Sequence, residues 1–161
     1  MNVIIVNEKD EQIAVKERKN VKTEDIYRVS ALWIKNSKEE FLLAQRAFTK
    51  ANNPGKWGPA VAGTVEEGET YNSNIVKEAE EELGLKDIKP TKISKVRRRG
   101  EHNYFCQWFI FKTDKKIQDF KIQKEEVAEI KWFSKKEFGE KLKFNPDLFL
   151  KNMKRQVDLF N

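Results

Sequence analysis

Two residue types that build reactive centres are almost missing: the chain has one cysteine, Cys106, and one histidine, His102. A lone thiol closes no internal disulfide, and its place inside an apolar run suits a reducing interior, so a cytoplasmic location is expected. A lone imidazole cannot supply a histidine metal cluster within one chain. Long apolar runs are lacking too. The longest, Tyr104 to Phe111, is broken by Gln107 and is far too short for a bilayer, so no membrane span is expected. The opening Met1-Asn-Val-Ile-Ile-Val6 runs straight into Asn7, Glu8, Lys9 and Asp10, without the basic start or apolar length of a secretory signal. There is no internal repeat or low-complexity linker, and 161 residues suit a single domain over 1–161. Charge, by contrast, is plentiful. With 32 Lys and Arg against 26 Asp and Glu the net charge is +6, which permits phosphate-rich partners; nucleic acid is possible but not favoured.

The first half of the chain has the signature of short strands: Val3 to Val6, Gln12 to Lys16, Val29 to Ile34 and Phe41 to Arg46, divided by polar turns. Thr49 to Lys56 is rich in Asn, Pro and Gly and predicts an irregular loop, closed by Trp57 and Pro59. From Thr70 to Leu83 the period turns helical. Thr70 is a suitable N-cap, Ile75, Val76, Ala79 and Leu83 share one side, and Gly84 stands where a left-handed stop belongs. Further strands are predicted at Lys92 to Arg99, Asn103 to Lys112 and Val127 to Phe133. The middle one is apolar on both faces, which places it inside a covered sheet and predicts a layered α/β/α arrangement. Asn145-Pro146-Asp147 looks like a helix start, with Leu148, Leu150, Met153, Val157 and Phe160 forming a final amphipathic helix.

The chemistry lies in Gly63 to Leu85, GTVEEGETYNSNIVKEAEEELGL. At about 100° per residue, Glu78, Glu81 and Glu82 fall within a sector about 100° wide, beside the apolar stripe that would anchor the helix. Clustered carboxylates repel unless protonated, paired or bridged by a cation, and hard oxygen ligands select Mg²⁺ or Mn²⁺. Mg²⁺ keeps open positions for water and phosphate oxygens, which points to a phosphorylated substrate. Gly63 and Gly68 are expected to turn the backbone tightly ahead of the helix, whose positive end can face phosphate.

This segment resembles the Nudix box, G-x5-E-x7-R-E-U-x-E-E-x-G-U with U a bulky aliphatic residue. Gly63, Glu69, Glu78, Glu81, Glu82, Gly84 and Leu85 occupy its fixed positions. Two positions depart from it: Lys77 replaces the arginine, and Ala79 the aliphatic residue. The resemblance implies an α/β Nudix fold, an α/β/α sandwich around a mixed central sheet, and a hydrolase that cuts a diphosphate linkage in a small phosphorylated compound such as a nucleoside diphosphate derivative. It implies a divalent metal on Glu78, Glu81 and Glu82, and gives the Lys77 position the task of holding a catalytic glutamate. Lysine keeps the charge but lacks the planar fork, so slower turnover is expected. The general base can come from the box, with Glu78 as its candidate, or from a later loop, where Glu125 and Glu126 stand.

Upstream, Gln45-Arg-Ala-Phe-Thr-Lys50 and Pro54-Gly-Lys-Trp57 resemble the subgroup related to type I isopentenyl-diphosphate isomerase. That resemblance assigns Arg46 and Lys50 to the substrate diphosphate. The isomerase reaction itself is not expected, because Ala62 stands at the position of its cysteine, Tyr27 and Thr64 at positions of its metal histidines, and Asn103 at the second acid of the motif that here reads Gly100-Glu-His-Asn103. A non-catalytic phosphate or RNA-binding role is a further alternative. Trp57, beside the box, is a candidate for stacking on a base or ring, whereas Trp33, Trp108 and Trp132 are expected to pack. Cys106 is expected in the core, His102 at a polar strand end, and Arg98 on the opposite strand face from Arg97 and Arg99.

Overall fold

Val29 to Ile34 is apolar at nearly every position, so a strand there must be covered on both faces. In the computed structural model, which describes residues 1–157, this segment lies within β3 (Ile26–Lys35), the strand around which the sheet is organised. One edge of β3 is occupied throughout by β8 (Asn103–Lys112), running parallel from Ile26 opposite Asn103 to Lys35 opposite Lys112. Three strands share the other edge. β1 (Asn2–Val6) pairs with its start, β6 (Val61–Thr64) with Val29 to Leu32, and β4 (Phe41–Arg46) with its end. Outside these lie β2 (Gln12–Glu17) on β1, β5 (Trp57–Pro59) and β9 (Val127–Phe133) on β4, and β7 (Thr91–Arg98) on β8. The sheet is therefore mixed, with antiparallel pairs around one parallel pair.

Alternation along β3 divides its side chains between two layers. Leu32 and Ile34 join Phe109, Leu42 and Ile130 beneath α1 (Tyr71–Leu83), whose Ile75, Ala79 and Leu83 are fully buried there. Ala31 and Trp33 point the other way, into a layer with Trp108, Phe133, Phe138, Leu142 and Met153. Trp33 stacks on Trp108 with ring centroids 5.2 Å apart. That second layer is built by α2 (Lys135–Phe144) and α3 (Met153–Val157), completing the α/β/α sandwich. Among the described residues no helix is long and apolar enough to cross a membrane.

The strands from 41 to 46, 103 to 112 and 127 to 133 and the helix ending at Leu83 lie where the sequence pattern puts them. Two expectations need correction, and one element was not expected. Gly63 does not turn the chain ahead of the helix; it lies within β6 opposite Ser30, and the turn is made by Gly68 at φ 83°. The helix predicted from Pro146 onward is displaced. Pro146–Leu148 forms only one 3-10 turn, and Leu148 is exposed. The chain then stays extended at Phe149, where the Leu150 amide donates to the Trp57 carbonyl, so that tie to β5 interrupts the helix until Met153. Phe160, placed on that helix by its period, lies outside the described residues. Finally, α2 was not apparent in the pattern. Its Ser134 side chain caps it by accepting from the Glu137 amide at 3.0 Å, and only Phe138 and Leu142, four residues apart, are buried.

Candidate functional site

Helix α1 begins with a reciprocal cap: Thr70 Oγ1 accepts from the Ser73 amide at 3.0 Å, while Ser73 Oγ accepts from the Thr70 amide at 2.9 Å. Gly84 ends it in the left-handed region at φ 69°. The helix N-terminus is thus engaged by its own residues, and the acidic side chains lie on its later turns. Asn74, which the pattern did not single out, fixes the helix to the sheet. Its buried amide group donates to the Thr64 carbonyl at 3.0 Å and to Glu69 Oε2 at 2.8 Å, and accepts from Ser30 Oγ. Its only sequence signal is a polar residue on the inner face of an amphipathic helix, which needs a partner once buried.

That attachment brings α1 so close to β6 that Glu78 lies directly over Gly63. A Cβ on Gly63 would stand 2.6 Å from Glu78 Cγ and 2.8 Å from Cδ. This close approach, not a turn, explains the glycine. Since the obstructed atoms belong to a flexible side chain, Gly63→Ala should cost little stability but displace the carboxylate. We expect kcat to fall by about 10²-fold with the melting temperature nearly unchanged. Steady-state kinetics alongside thermal unfolding checks this, and a variant with full activity would show that Glu78's position is immaterial.

Lys77 works on the other side of Glu78. Its ammonium pairs with Glu69 at 2.5 Å and Glu66 at 2.8 Å, and stands 3.8 Å from Glu78. Burial raises the Glu69 carboxyl, but Lys77, the Glu66 amide and Asn74 together hold it below the usual carboxylate range. Glu66, outside the fixed motif positions, is therefore part of this clamp. Glu78 is in a different state. Burial pushes it up to about 7; the Lys77 charge opposes this, and Glu81, Glu69 and Glu66 reinforce it.

One turn further on, burial pushes Glu82 up to about 8, with Glu78 and Glu126 adding to the effect and Lys50 and Arg46 opposing it. Three of these groups are distant in sequence: Arg46 reaches Glu82 from the end of β4, Lys50 from the loop after it and Glu126 from the loop before β9. The Ala47 amide donates to the Glu126 carbonyl, and Lys50 pairs with Glu126 at 2.6 Å. Arg46 Nε donates to the Asn52 carbonyl at 3.0 Å, shaping the same loop. So Arg46, Lys50, Glu78, Glu82 and Glu126 surround one locality, with exposed Glu81 at its rim. Among the described residues, however, no three acidic, histidine or cysteine side chains converge tightly enough to hold a metal as they stand. The donor chemistry nevertheless fits a hard divalent ion. Two half-buried carboxylates, both driven toward protonation by burial and by neighbouring acids, form a deficit that such an ion relieves.

The remaining side chains have other engagements. The Trp57 ring packs edge-on against Phe133 at 5.3 Å, on the sheet face that carries α2. Cys106 is buried, and burial pushes its thiol up to about 12, which suits packing rather than nucleophilic attack. Arg97 and Arg99 both pair with Glu8, while Arg98 acts electrostatically on Tyr104 and Cys106, as strand alternation predicts. His102 lies in the exposed turn between β7 and β8.

Residues 26–153 match the family model described as NUDIX domain. An uncharacterized Nudix hydrolase of Listeria monocytogenes is 32% identical over 114 residues, covering 70% of this chain and 66% of that protein. The chain thus spans just under two thirds of that relative's length. An isopentenyl-diphosphate Delta-isomerase of Klebsiella pneumoniae is 29% identical over 93 residues, 55% of this chain and 50% of the isomerase. A crystallised protein of Deinococcus radiodurans shares the fold, with a TM-score of 0.84 over 98% of both chains at 18% identity.

Proposed function

Because this chain belongs to the Nudix hydrolase family, we propose that it cuts a diphosphate linkage, with Mg²⁺ or Mn²⁺, in a nucleoside diphosphate derivative or related small phosphorylated compound. The observation that carries this reading is the geometry that seats Glu78 over Gly63 on the helix bearing Glu82, with the Lys50–Glu126 pair and Arg46 beside them; both carboxyls are accordingly raised above the ordinary glutamate range. Glu78, Glu81 and Glu82 would hold the ion, which when bound supplies charge neutralisation on diphosphate oxygens and a water of lowered pKa. The chain's own groups do the rest. Arg46 and Lys50 bind and orient the diphosphate. A carboxylate takes the proton of the attacking water, either Glu78 over Gly63 or Glu126 once Lys50 turns from it to phosphate. Lys77 pairs with Glu69 and Glu66, holds Glu69 ionised and limits where Glu78 can move.

Isomerisation of an isopentenyl diphosphate is disfavoured by Ala62, an exposed methyl where that chemistry needs a thiol. The two are separated by mass spectrometry of the products from a panel of nucleotides and prenyl diphosphates in water labelled with heavy oxygen. Hydrolysis places the label in a phosphate product; an unlabelled allylic diphosphate would overturn the proposal. The box lysine makes a second prediction. Lys77→Arg, able to grip two carboxylates with one planar fork, should raise kcat severalfold. An unchanged or lower kcat would remove any catalytic disadvantage from the lysine.

A further inference from the structure

On the sheet face opposite α1, a cavity of about 260 Å³ opens beside β6, lined among others by Arg18, Lys22, Tyr27, Asn52, Glu101 and His102. It is large enough for a sugar or a base, though small for a ligand pocket, which typically measures roughly 300–1,000 Å³. Two observations connect it to the carboxylates. Arg18 Nη1 donates to Thr64 Oγ1 at 2.8 Å, and Thr64 adjoins Gly63, the residue beneath Glu78. Asn52, in the cavity wall, accepts through its carbonyl from Arg46, whose charge acts on Glu82. Among the described residues β6 pairs with β3 alone, and Ala62 in its middle is exposed. Its other edge is therefore not closed by a further strand of the sheet.

The lining states what would be welcome there. Two basic side chains, Arg18 and Lys22, share the lining with a single carboxylate, Glu101. The aromatic face on offer, Tyr27, is already covered by the Arg18 guanidinium at 5.3 Å. An apolar chain entering would strip water from these charges without replacing its hydrogen bonds, which is costly. A phosphate would gain charge-assisted hydrogen bonds from the same groups.

We propose that this cavity receives the part of the substrate beyond its diphosphate, that this part is polar and bears a second phosphate, and that Arg18 is the residue selecting it. The inference rests on the hydrolase reading above and narrows its substrate class.

The test is equilibrium binding of three probes to the full chain: inorganic diphosphate, isopentenyl diphosphate and 5-phosphoribosyl 1-diphosphate. The phosphoribosyl compound should bind at least about tenfold more tightly than the prenyl one. Arg18→Met, an exposed substitution that keeps the aliphatic stem, should abolish most of that advantage and leave inorganic diphosphate binding within about twofold. Arg18→Lys should restore part of it. Equal or tighter binding of isopentenyl diphosphate overturns the proposal, as does an equal loss for all three probes in Arg18→Met. Should the heavy-oxygen experiment find no hydrolysis, the enzyme reading falls while the probe ranking still decides what the cavity takes.

Discussion

Glu82→Gln is expected to lower kcat by about 10³-fold, about 4 kcal/mol of barrier, while raising the melting temperature of the metal-free protein above neutral pH. The two effects have one cause. In the fold the Glu82 carboxyl titrates at about 8 because burial and the neighbouring Glu78 and Glu126 oppose its charge. Ionising it without a cation therefore destabilises the native state, and glutamine of nearly the same shape removes that cost. Turnover depends on the very charge that the fold resists, so activity and stability should move in opposite directions. Steady-state kinetics and thermal unfolding of the same preparation suffice. Retained activity would remove Glu82 from the metal site; lost activity together with a lowered melting temperature would mean the side chain has a structural task instead.

The second large effect is on pH. Glu78 and Glu82 titrate in the fold at about 7 and about 8, against an unfolded value of 4.5. Groups raised in this way favour the native state fully below the unfolded value, and that contribution is lost as pH climbs through the folded values. The metal-free protein should therefore lose about 3 kcal/mol between pH 5 and pH 9, allowing for partial exposure and coupling between the two carboxyls. Glu69 and Asp10, both held below the ordinary range, act in the opposite sense. Their contribution is present above the unfolded values and disappears only on strong acidification, leaving the alkaline window to the raised pair. Millimolar Mg²⁺ should restore the melting temperature at pH 9 and do much less at pH 5, where protons compete for the same oxygens. A profile that is flat from pH 5 to 9, or a Mg²⁺ effect that does not depend on pH, would contradict this account.

The local patterns carried much of this fold and a defined part of the site. The box helix announced its cap, its apolar side and its stop, because all three depend on residues within one or two turns. β8 and β9 likewise followed from continuous or alternating apolar residues. β5 and β6 did not, since strands of three and four residues containing Gly58, Pro59 and Gly63 have no period to detect. Helix α2 was hidden by its charge and by Gly139, leaving two buried side chains as its apolar signal. In the site, the motif glutamates were legible as sharing one helix, whereas the Asn74 anchor and the Glu66 arm of the Lys77 clamp depend on which groups of the preceding strand and turn face the helix. Lys50 and Glu126 were each apparent as candidates. Their ion pair, between loops brought together by β4 and β9, was not.

The long parallel register of β8 on β3 has a consequence for biosynthesis. Strand β3 cannot gain its second neighbour until residue 112 has left the ribosome, by which time β6 and the box helix have already emerged. Until then a ten-residue strand with an apolar centre has an open edge. Pauses or truncations upstream of β8 should yield nascent chains that associate edge to edge or engage holdase chaperones, whereas those downstream of it leave β3 shielded.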